Sequence, residues 1–190
     1  MKFLTGLTIQ LAIGVVGLGA FSSAHAGVVE LSTGFSYSRS NYAAGSYTWN
    51  RRIGGSVAYH FSATSGIEWA FQMIVDRTVI ANGTLQDTTF NDRVYSLNWV
   101  QSFLPRESVF QPYVKIGIGQ LNRDAEGTYS GGVSPPARLD ALTGVVGMGF
   151  RLYLTKTFAI RGEATTYLQG AELRTWQDNL GFTLGTSFYL

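Results

Sequence analysis

Cysteine is absent from this 190-residue chain, and charged residues are scarce. The missing cysteine excludes disulfide bonds and thiol chemistry and leaves only weak options for zinc. Charged residues make up 14% of the chain, against roughly 25% in a soluble domain. The formal net charge of +2 gives no reason to expect a nucleic-acid partner. Glycine (23 residues) and aromatics (14%) are abundant instead, and this balance indicates a lipid environment.

The N-terminal segment has the three parts of a secretory signal. Lys2 supplies the positive start, residues 3–21 are largely apolar, and Ala24-His25-Ala26 matches the small-x-small cleavage pattern. The alternative is a retained transmembrane helix, because the apolar stretch approaches the roughly 20 residues that a helix needs to span a bilayer. The glycines and the cleavage motif favour removal. We predict a signal peptide over residues 1–26 and a mature domain over residues 27–190.

The rest of the chain shows period-two alternation, which is typical of strands with two different faces. Polar residues interrupt every later apolar run, so none of these runs predicts a membrane-spanning helix. Eight segments alternate between bulky apolar residues and small or polar ones. One apolar member of each, in chain order, is Phe35, Ile53, Trp69, Leu97, Ile116, Met148, Ile160 and Leu184.

The composition of the polar face decides which side of the sheet meets water. In a soluble sandwich the polar face is charged and solvated, but here it consists mostly of Gly, Ser, Thr and Asn. Small inward residues and bulky apolar outward residues are typical of a narrow membrane barrel. We therefore predict an all-β fold, an eight-stranded antiparallel up-and-down transmembrane β-barrel, with a secreted sandwich as the alternative.

The lengths of the links between strands predict an orientation. Links 62–66, 105–109 and 155–157 are short, whereas links 39–48, 77–92, 122–138 and 169–175 are longer. In barrels of this kind short turns face the periplasm and long loops face outside, which leaves both mature termini in the periplasm. Aromatic residues near the strand ends predict two interfacial girdles. They are Tyr59, Phe61, Phe103, Phe110, Phe150, Phe158 and Phe188 at one end and Tyr37, Trp49 and Trp176 at the other.

Three segments resemble the OmpA/OmpX-like family of eight-stranded outer-membrane barrels. Segment 111–119 (QPYVKIGIG) is similar to the family's Pro-Tyr-Val-x-x-Gly-x-Gly strand, and segment 144–151 (GVVGMGFR) is similar to the Gly-rich strand that follows it. The ending 181–190 resembles the terminal strand that the outer-membrane insertion machinery reads, although family members commonly finish on Phe and this chain finishes on Leu. The residues of that signal would be Phe182, Leu184, Phe188 and Leu190.

The resemblance implies an integral outer-membrane protein that contacts outer-membrane lipid and lipopolysaccharide and is assembled by the insertion machinery. It implies location and architecture better than activity. Because the chain stops at the eighth predicted strand, we expect no peptidoglycan-binding module.

Charged residues at inward positions form the main candidate site. The four acids are Glu30, Glu68, Asp76 and Glu163, and the four bases are Arg52, Lys115, Arg151 and Arg161. Charges in a narrow lumen must be paired, because unpaired burial is very costly. We predict an ionic network that fills the lumen; the alternative is a constricted ion path or gate. An eight-stranded barrel is only just wide enough to be filled by its own side chains, which favours the plug.

Other motifs give little support for chemistry. His60 is the only histidine after the signal, and the outer loops show no His/Asp/Ser pattern for a lipid-modifying enzyme, so we predict a structural His60 inside the barrel. The Gly-rich runs do not open a helix, which excludes a nucleotide loop. Asn82-Gly83 predicts a hairpin in which the third and fourth strands project as a ribbon, and residues 129–136 predict an exposed loop.

The functional expectation is a non-enzymatic integral outer-membrane protein that serves envelope integrity or surface interaction through its extracellular loops. No catalytic, cofactor or metal site is predicted. A surface ligand that binds the outer loops is a possible partner, and the sequence does not identify it. The first alternative is a narrow pore for ions or small solutes. The second is a lipid A-modifying enzyme.

Overall fold

The computed structural model describes residues 27–43, 45–82, 84–129, 139–170 and 179–190. The predicted signal segment 1–26, most of the predicted loop 129–136 and Trp176 of the predicted girdle lie outside these residues. Within the described part, no helix is both long enough and apolar enough to cross a membrane.

Eight antiparallel strands form a closed barrel, in which consecutive strands pair and β1 also pairs with β8. The pairing of β1 with β8 closes the sheet, so neither strand is left as an open edge in lipid, which offers no hydrogen-bond partner. The predicted fold class is confirmed. The strands are β1 (Val28–Ala43), β2 (Ser46–His60), β3 (Ser65–Asn82), β4 (Thr84–Ser102), β5 (Phe110–Tyr129), β6 (Leu139–Tyr153), β7 (Phe158–Gln169) and β8 (Gly181–Tyr189).

The strand register is staggered around the barrel. Following paired residues once around the sheet leads back to β5 ten residues further along. The path is Pro112, Phe150, Gly162, Leu184, Phe35, Ile53, Met73, Arg93 and Asn122. For eight strands this stagger corresponds to a strand tilt of about 40° from the barrel axis. The lumen is then narrow enough for side chains to fill it.

The two faces of the sheet have the predicted polarity. Large apolar side chains cover the exterior; Leu142 and Phe182, for example, have exposed fractions of 70% and 69%. Glu30, Glu68 and Arg151 point inward, and each has an exposed fraction of 0%. A soluble sandwich would bury the apolar set and solvate the charges, so the exterior of this barrel is the lipid-facing surface.

On one side of the barrel the strands extend beyond the predicted ends. The predicted link 39–48 is wrong, because β1 continues to Ala43 and β2 begins at Ser46. The turn between them includes Gly45, whose φ of 78° lies in the left-handed region that favours glycine. Hydrophobic alternation ends where a strand leaves lipid, whereas backbone pairing continues. The sequence pattern therefore marks the membrane band rather than the whole strand.

The extended strands form an uneven rim at the same side, which we call the hairpin end. β3 and β4 stay paired up to Asn82 and Thr84, so the predicted ribbon is present, and β5 follows as far as Tyr129. β7 and β8, in contrast, are paired only up to Thr165 and Gly181. The rim is high along β3–β5 and low at β7–β8. The opposite side, which carries the three short links, is called the short-turn end.

Candidate functional site

Six charged side chains from five strands meet inside the barrel. All occupy inward positions, and acids and bases are equal in number. They are Glu30 of β1, Glu68 of β3, Lys115 of β5, Arg151 of β6, and Arg161 and Glu163 of β7. Arg151 and Arg161 are direct ladder partners, and like charges in opposite positions are destabilising. Each of these arginines therefore needs an acid beside it.

Glu30 is the ion-pair partner of Arg151. The Arg151 guanidinium donates from Nε to Glu30 Oε1 at 3.1 Å and from Nη2 to Oε2 at 2.8 Å. His60 Nε2 lies 2.7 Å from Glu30 Oε2, and Ser187 Oγ donates to Oε1 at 2.7 Å. This bidentate geometry with further hydrogen bonds is what makes a fully buried ion pair tolerable. His60 is thus hydrogen-bonded inside the barrel.

Glu68 and Glu163 form ion pairs with Arg161 and Lys115 in a second group. Arg161 Nη2 lies 2.6 Å from Glu68 Oε2 and also pairs with Glu163. Lys115 Nζ lies 2.6 Å from Glu163 Oε1 and 3.3 Å from Glu68 Oε1. Arg161 Nη1 lies 3.6 Å from Glu30 Oε1 and so connects the second group to the first. The six charges form one continuous network.

Tyr113 sits between the two groups and was not singled out from the sequence. Its hydroxyl accepts from Arg161 Nε at 2.7 Å and donates to Glu163 Oε2 at 2.7 Å. The ring lies 4.4 Å from the Arg151 guanidinium carbon, a cation–π contact. Gly149 opposite leaves the necessary space, since a Cβ there would lie 2.6 Å from the Tyr113 hydroxyl. Tyrosine is a common outward residue in this chain, so only the parity of β5 distinguishes Tyr113.

Arg52 and Asp76 belong to a separate group nearer the hairpin end. Arg52 donates from Nη2 to the carbonyls of Asn179 and Leu180 at 3.2 and 3.1 Å. Asn50 links the two residues, because it accepts from Arg52 Nε at 3.3 Å and donates to Asp76 Oδ2 at 2.9 Å. The structure therefore brings six of the eight predicted charges together and places Arg52 and Asp76 apart from them.

The sequence interpretation missed a further ion pair in the lumen. Arg123 donates from Nε and Nη2 to the two oxygens of Asp92 at 2.8 and 2.6 Å. The two residues are ladder partners on β4 and β5. Both lie beyond the predicted ends of these strands, so their parity was not evaluated. Extending the alternation by two residues on each strand would have found the pair.

The network separates two spaces in the barrel. A cavity of about 60 Å³ borders Ser32, Glu68 and Lys115, which is room for about two waters. A wider cup of about 320 Å³ opens at the short-turn end and is lined by Val28, His60, Arg106, Gln111, Tyr153 and Tyr189, among others. Glu30 lies between Val28 and Ser32 along β1, so the Glu30–Arg151 pair stands between the cup and the cavity.

The lumen shows no arrangement for catalysis among the described residues. No group of three His, Cys, Asp or Glu there could hold a metal ion. His60 engages Glu30, and no hydroxyl in the described part hydrogen-bonds to its ring. Nucleophilic catalysis needs a base within reach of a nucleophile, and that pairing is not formed here.

The four residues of the predicted insertion signal lie on the exterior. Phe182, Leu184, Phe188 and Leu190 have exposed fractions between 51% and 77%, and Phe188 packs on Phe158 with ring centroids 5.0 Å apart. Their place on the lipid-facing surface is established; their reading by the insertion machinery stays a prediction.

Comparison with known proteins gives one matching family model and several similar solved structures. The family model of the outer membrane protein beta-barrel domain matches residues 8–188. The chain is similar to the N-terminal β-barrel domain of Pseudomonas aeruginosa OprF, with a TM-score of 0.53, 17% identity, and coverage of 86% of this chain and 97% of that one. It is also similar to Ail, the attachment invasion locus protein of Yersinia pestis, solved with the heparin analogue sucrose octasulfate, with a TM-score of 0.50, 13% identity, and coverage of 86% and 99%. No curated protein matches the chain.

At such identities the two structures support the fold alone. The family match covers nearly the whole chain, and it agrees with a closed barrel that has an apolar exterior and an ionic lumen. The chain therefore belongs to the outer membrane protein beta-barrel domain family and is an integral protein of the outer membrane.

Proposed function

We propose that this protein is a closed, non-enzymatic outer-membrane barrel that supports envelope integrity and carries surface interactions on its hairpin end. The observation that supports closure is the fully buried Glu30–Arg151 pair, which stands between the two spaces of the lumen. In this proposal the hairpin end faces outside and the short turns face the periplasm.

The energetics of the network favour a plug over a gate. Breaking a buried ion pair by removing one partner costs about 3–5 kcal/mol. Arg161 would have to leave Glu68 and Glu163 together to open a path, and Lys115 would have to change partners. Such coupled rearrangements make spontaneous opening rare.

Conductance in planar bilayers tests the closed lumen. Wild-type protein should give no stable single-channel steps. The double variant Glu30→Ala/Arg151→Ala removes the pair that stands between the two spaces, leaves Lys115 with Glu163 and Arg161 with Glu68, and should conduct. Arg77→Gln/Asp87→Asn, which removes a pair in the ribbon instead, serves as the matched control and should stay silent. Wild-type steps that change with Arg52 or Arg161 substitution would establish the narrow pore.

The surface role rests on the shape of the hairpin end. From Val75 the β3–β4 ribbon continues for seven residues to Asn82, which at about 3.3 Å per residue and a tilt of about 40° rises roughly 17 Å above the apolar band. A rigid hairpin that stands clear of the membrane can present side chains to a partner.

A deletion strain complemented with two variants tests this role. In the first variant, residues 79–87 are replaced by Asn-Gly, which shortens the ribbon but keeps a hairpin turn. In the second, Lys156→Ala alters the exposed turn at the other end. We expect the second variant alone to restore detergent resistance and surface adhesion. If deletion causes no envelope or adhesion defect, the proposed role is wrong.

Mass spectrometry of lipid A from cells with and without the protein tests the non-enzymatic character. Identical lipid A from both strains is the expected result. A mass change that follows expression would show a lipid-modifying enzyme instead.

A further inference from the structure

Arginines mark one edge of the apolar band on four adjacent strands. Along each of β1 to β4, the outward positions are mostly apolar until the hairpin end, and the next outward position is an arginine. The arginine follows Tyr37 on β1, Ile53 on β2, Val75 on β3 and Tyr95 on β4. The four arginines are Arg39, Arg51, Arg77 and Arg93.

The barrel stagger places three of these arginines at one height. Arg39 is paired with Trp49, two residues from Arg51, and Arg93 is paired with Met73. The ten-residue stagger over eight strands must be allowed for when heights are compared. Arg39, Arg51 and Arg93 then lie within about one residue of a common level, and Arg77 lies roughly three residues higher. We call Arg39, Arg51 and Arg93 the arginine belt.

The belt differs from the lumen in its pairing, although Asp124 lies diagonally across from Arg93 on β5. The side chains of all three arginines are exposed, and none forms an ion pair with any described carboxylate. Arg77, by contrast, pairs with Asp87 at 2.5 Å. In a chain that matches every charge of the lumen network, three cations at one level on the exterior that have no described acidic partner are available to an external anion.

Neighbouring aromatic rings hold part of the belt in place. The Arg39 guanidinium lies over the Tyr47 ring at 4.7 Å, and Tyr37 stacks on Trp49 with centroids 6.4 Å apart. Tyrosine and tryptophan are enriched at the membrane–water interface, so this edge of the band lies at headgroup depth. A pre-positioned guanidinium loses less entropy when it binds a phosphate.

On β5, β6 and β7 the described outward residues at this level carry no such charge. At the corresponding level, the outward positions of β5, β6 and β7 hold Gln120, Leu142 and Leu168. The acids Asp124 and Asp140 lie further out on β5 and β6. Among the described residues, the β1–β4 side is therefore the one that favours an anionic headgroup.

We propose that the arginine belt binds the phosphate groups of a lipid A-type glycolipid in the outer leaflet. Guanidinium groups bind phosphate in a bidentate manner, and the belt lies where a lipid phosphate meets the end of its acyl chains. The proposal rests on the orientation given under Proposed function, because the outer leaflet must meet the hairpin end.

Binding by delipidated full-length protein, purified from outer membranes in non-ionic detergent, tests the belt. The probes are micelles that contain bisphosphorylated lipid A, lipid A with both phosphates removed, or phosphatidylglycerol. Wild-type protein should prefer the bisphosphorylated lipid to both others. Each basic side chain near a charged surface contributes about 1 kcal/mol, or about five-fold in affinity, so the triple variant R39Q/R51Q/R93Q should bind on the order of 100-fold more weakly.

Two further variants serve as controls in the lipid-binding measurement. Lys156→Gln removes one exposed cation at the short-turn end and should bind as the wild type does. The triple Arg→Lys variant keeps the charge but loses bidentate geometry, and its affinity should fall between the others. Unchanged affinity in R39Q/R51Q/R93Q that still shows the heat-modifiable barrel band, or equal wild-type binding to the phosphate-free lipid or to phosphatidylglycerol, would overturn the proposal.

Cysteine labelling separates a failure of the orientation from a failure of the belt. The chain has no cysteine, so Asn41→Cys at the hairpin end and Thr155→Cys at the short-turn end each give a single thiol. A membrane-impermeant maleimide on intact cells should label Asn41→Cys and leave Thr155→Cys unlabelled. The reverse result would refute the orientation, and with it the outer-leaflet assignment, while the detergent measurement would still report whether the belt binds phosphate.

Discussion

Replacing Arg151 by methionine should destabilise the barrel strongly, because it leaves Glu30 charged in a site without solvent. Both side chains have an exposed fraction of 0%. Removal of one partner of a buried pair costs about 3–5 kcal/mol. His60 at 2.7 Å and Arg161 at 3.6 Å remain near Glu30, which favours the lower part of that range.

The double variant Glu30→Gln/Arg151→Met should recover most of this loss. With both charges gone, the neutral amide can still accept from Ser187, which lies 2.7 Å from Glu30 Oε1. Exchange of a buried pair for uncharged groups is often close to neutral. The coupling free energy between the two sites should therefore reach at least about 2 kcal/mol.

Wild type, the two single variants and the double variant form a double-mutant cycle. Equilibrium urea unfolding in lipid vesicles measures the free energy of unfolding of all four proteins. Tryptophan fluorescence is a suitable signal, since Trp69 and Trp99 face lipid with exposed fractions of 57% and 47%. Linear extrapolation gives the free energy of unfolding. Additive effects within about 0.5 kcal/mol would refute the reasoning, because they would show that water screens the pair and that the lumen is not plugged.

Three further predictions address the faces, the closure and the ribbon. Trp99→Arg, near the middle of the lipid-facing band, should lower the free energy of unfolding by about 2–4 kcal/mol, and Trp99→Phe should lower it far less; equal losses in urea unfolding would contradict the assignment of faces. Detergent-solubilised barrel should migrate differently on a gel before and after boiling, and a soluble chain without any shift would contradict a closed lipid-facing barrel. In the ribbon beyond the membrane band, the hydrogen bond from Arg77 lowers the pKa of Asp87. The pair should therefore stabilise the ribbon above the ordinary pKa of about 3.9 and lose this effect as pH falls through the lowered value. An NMR titration should show the pKa of Asp87 rising in Arg77→Gln, and an unchanged value would contradict the pairing.

The lipid-facing band could be predicted from the sequence almost completely. The direction of a strand side chain has period two and depends only on the local backbone. Leu97, Ile116 and Met148 could therefore be assigned to the exterior, and Glu30 and Arg151 to the lumen, without knowledge of any strand pairing. The strand ends could not be assigned in this way, as the wrong link at 39–48 shows, because hydrophobicity follows the lipid boundary while hydrogen bonding continues past it.

What the sequence determined by itself is the set of inward and outward residues. Only the tertiary structure decided which inward residues meet: Glu30 with Arg151 across the lumen, Arg161 between Glu68 and Glu163, and Arg52 apart from all of them. The same holds for the common level of the arginine belt. These contacts depend on the offset of every strand against its neighbour and on the ten-residue stagger that the offsets produce. No single segment encodes that stagger, since it is fixed only when all eight strands close into one barrel.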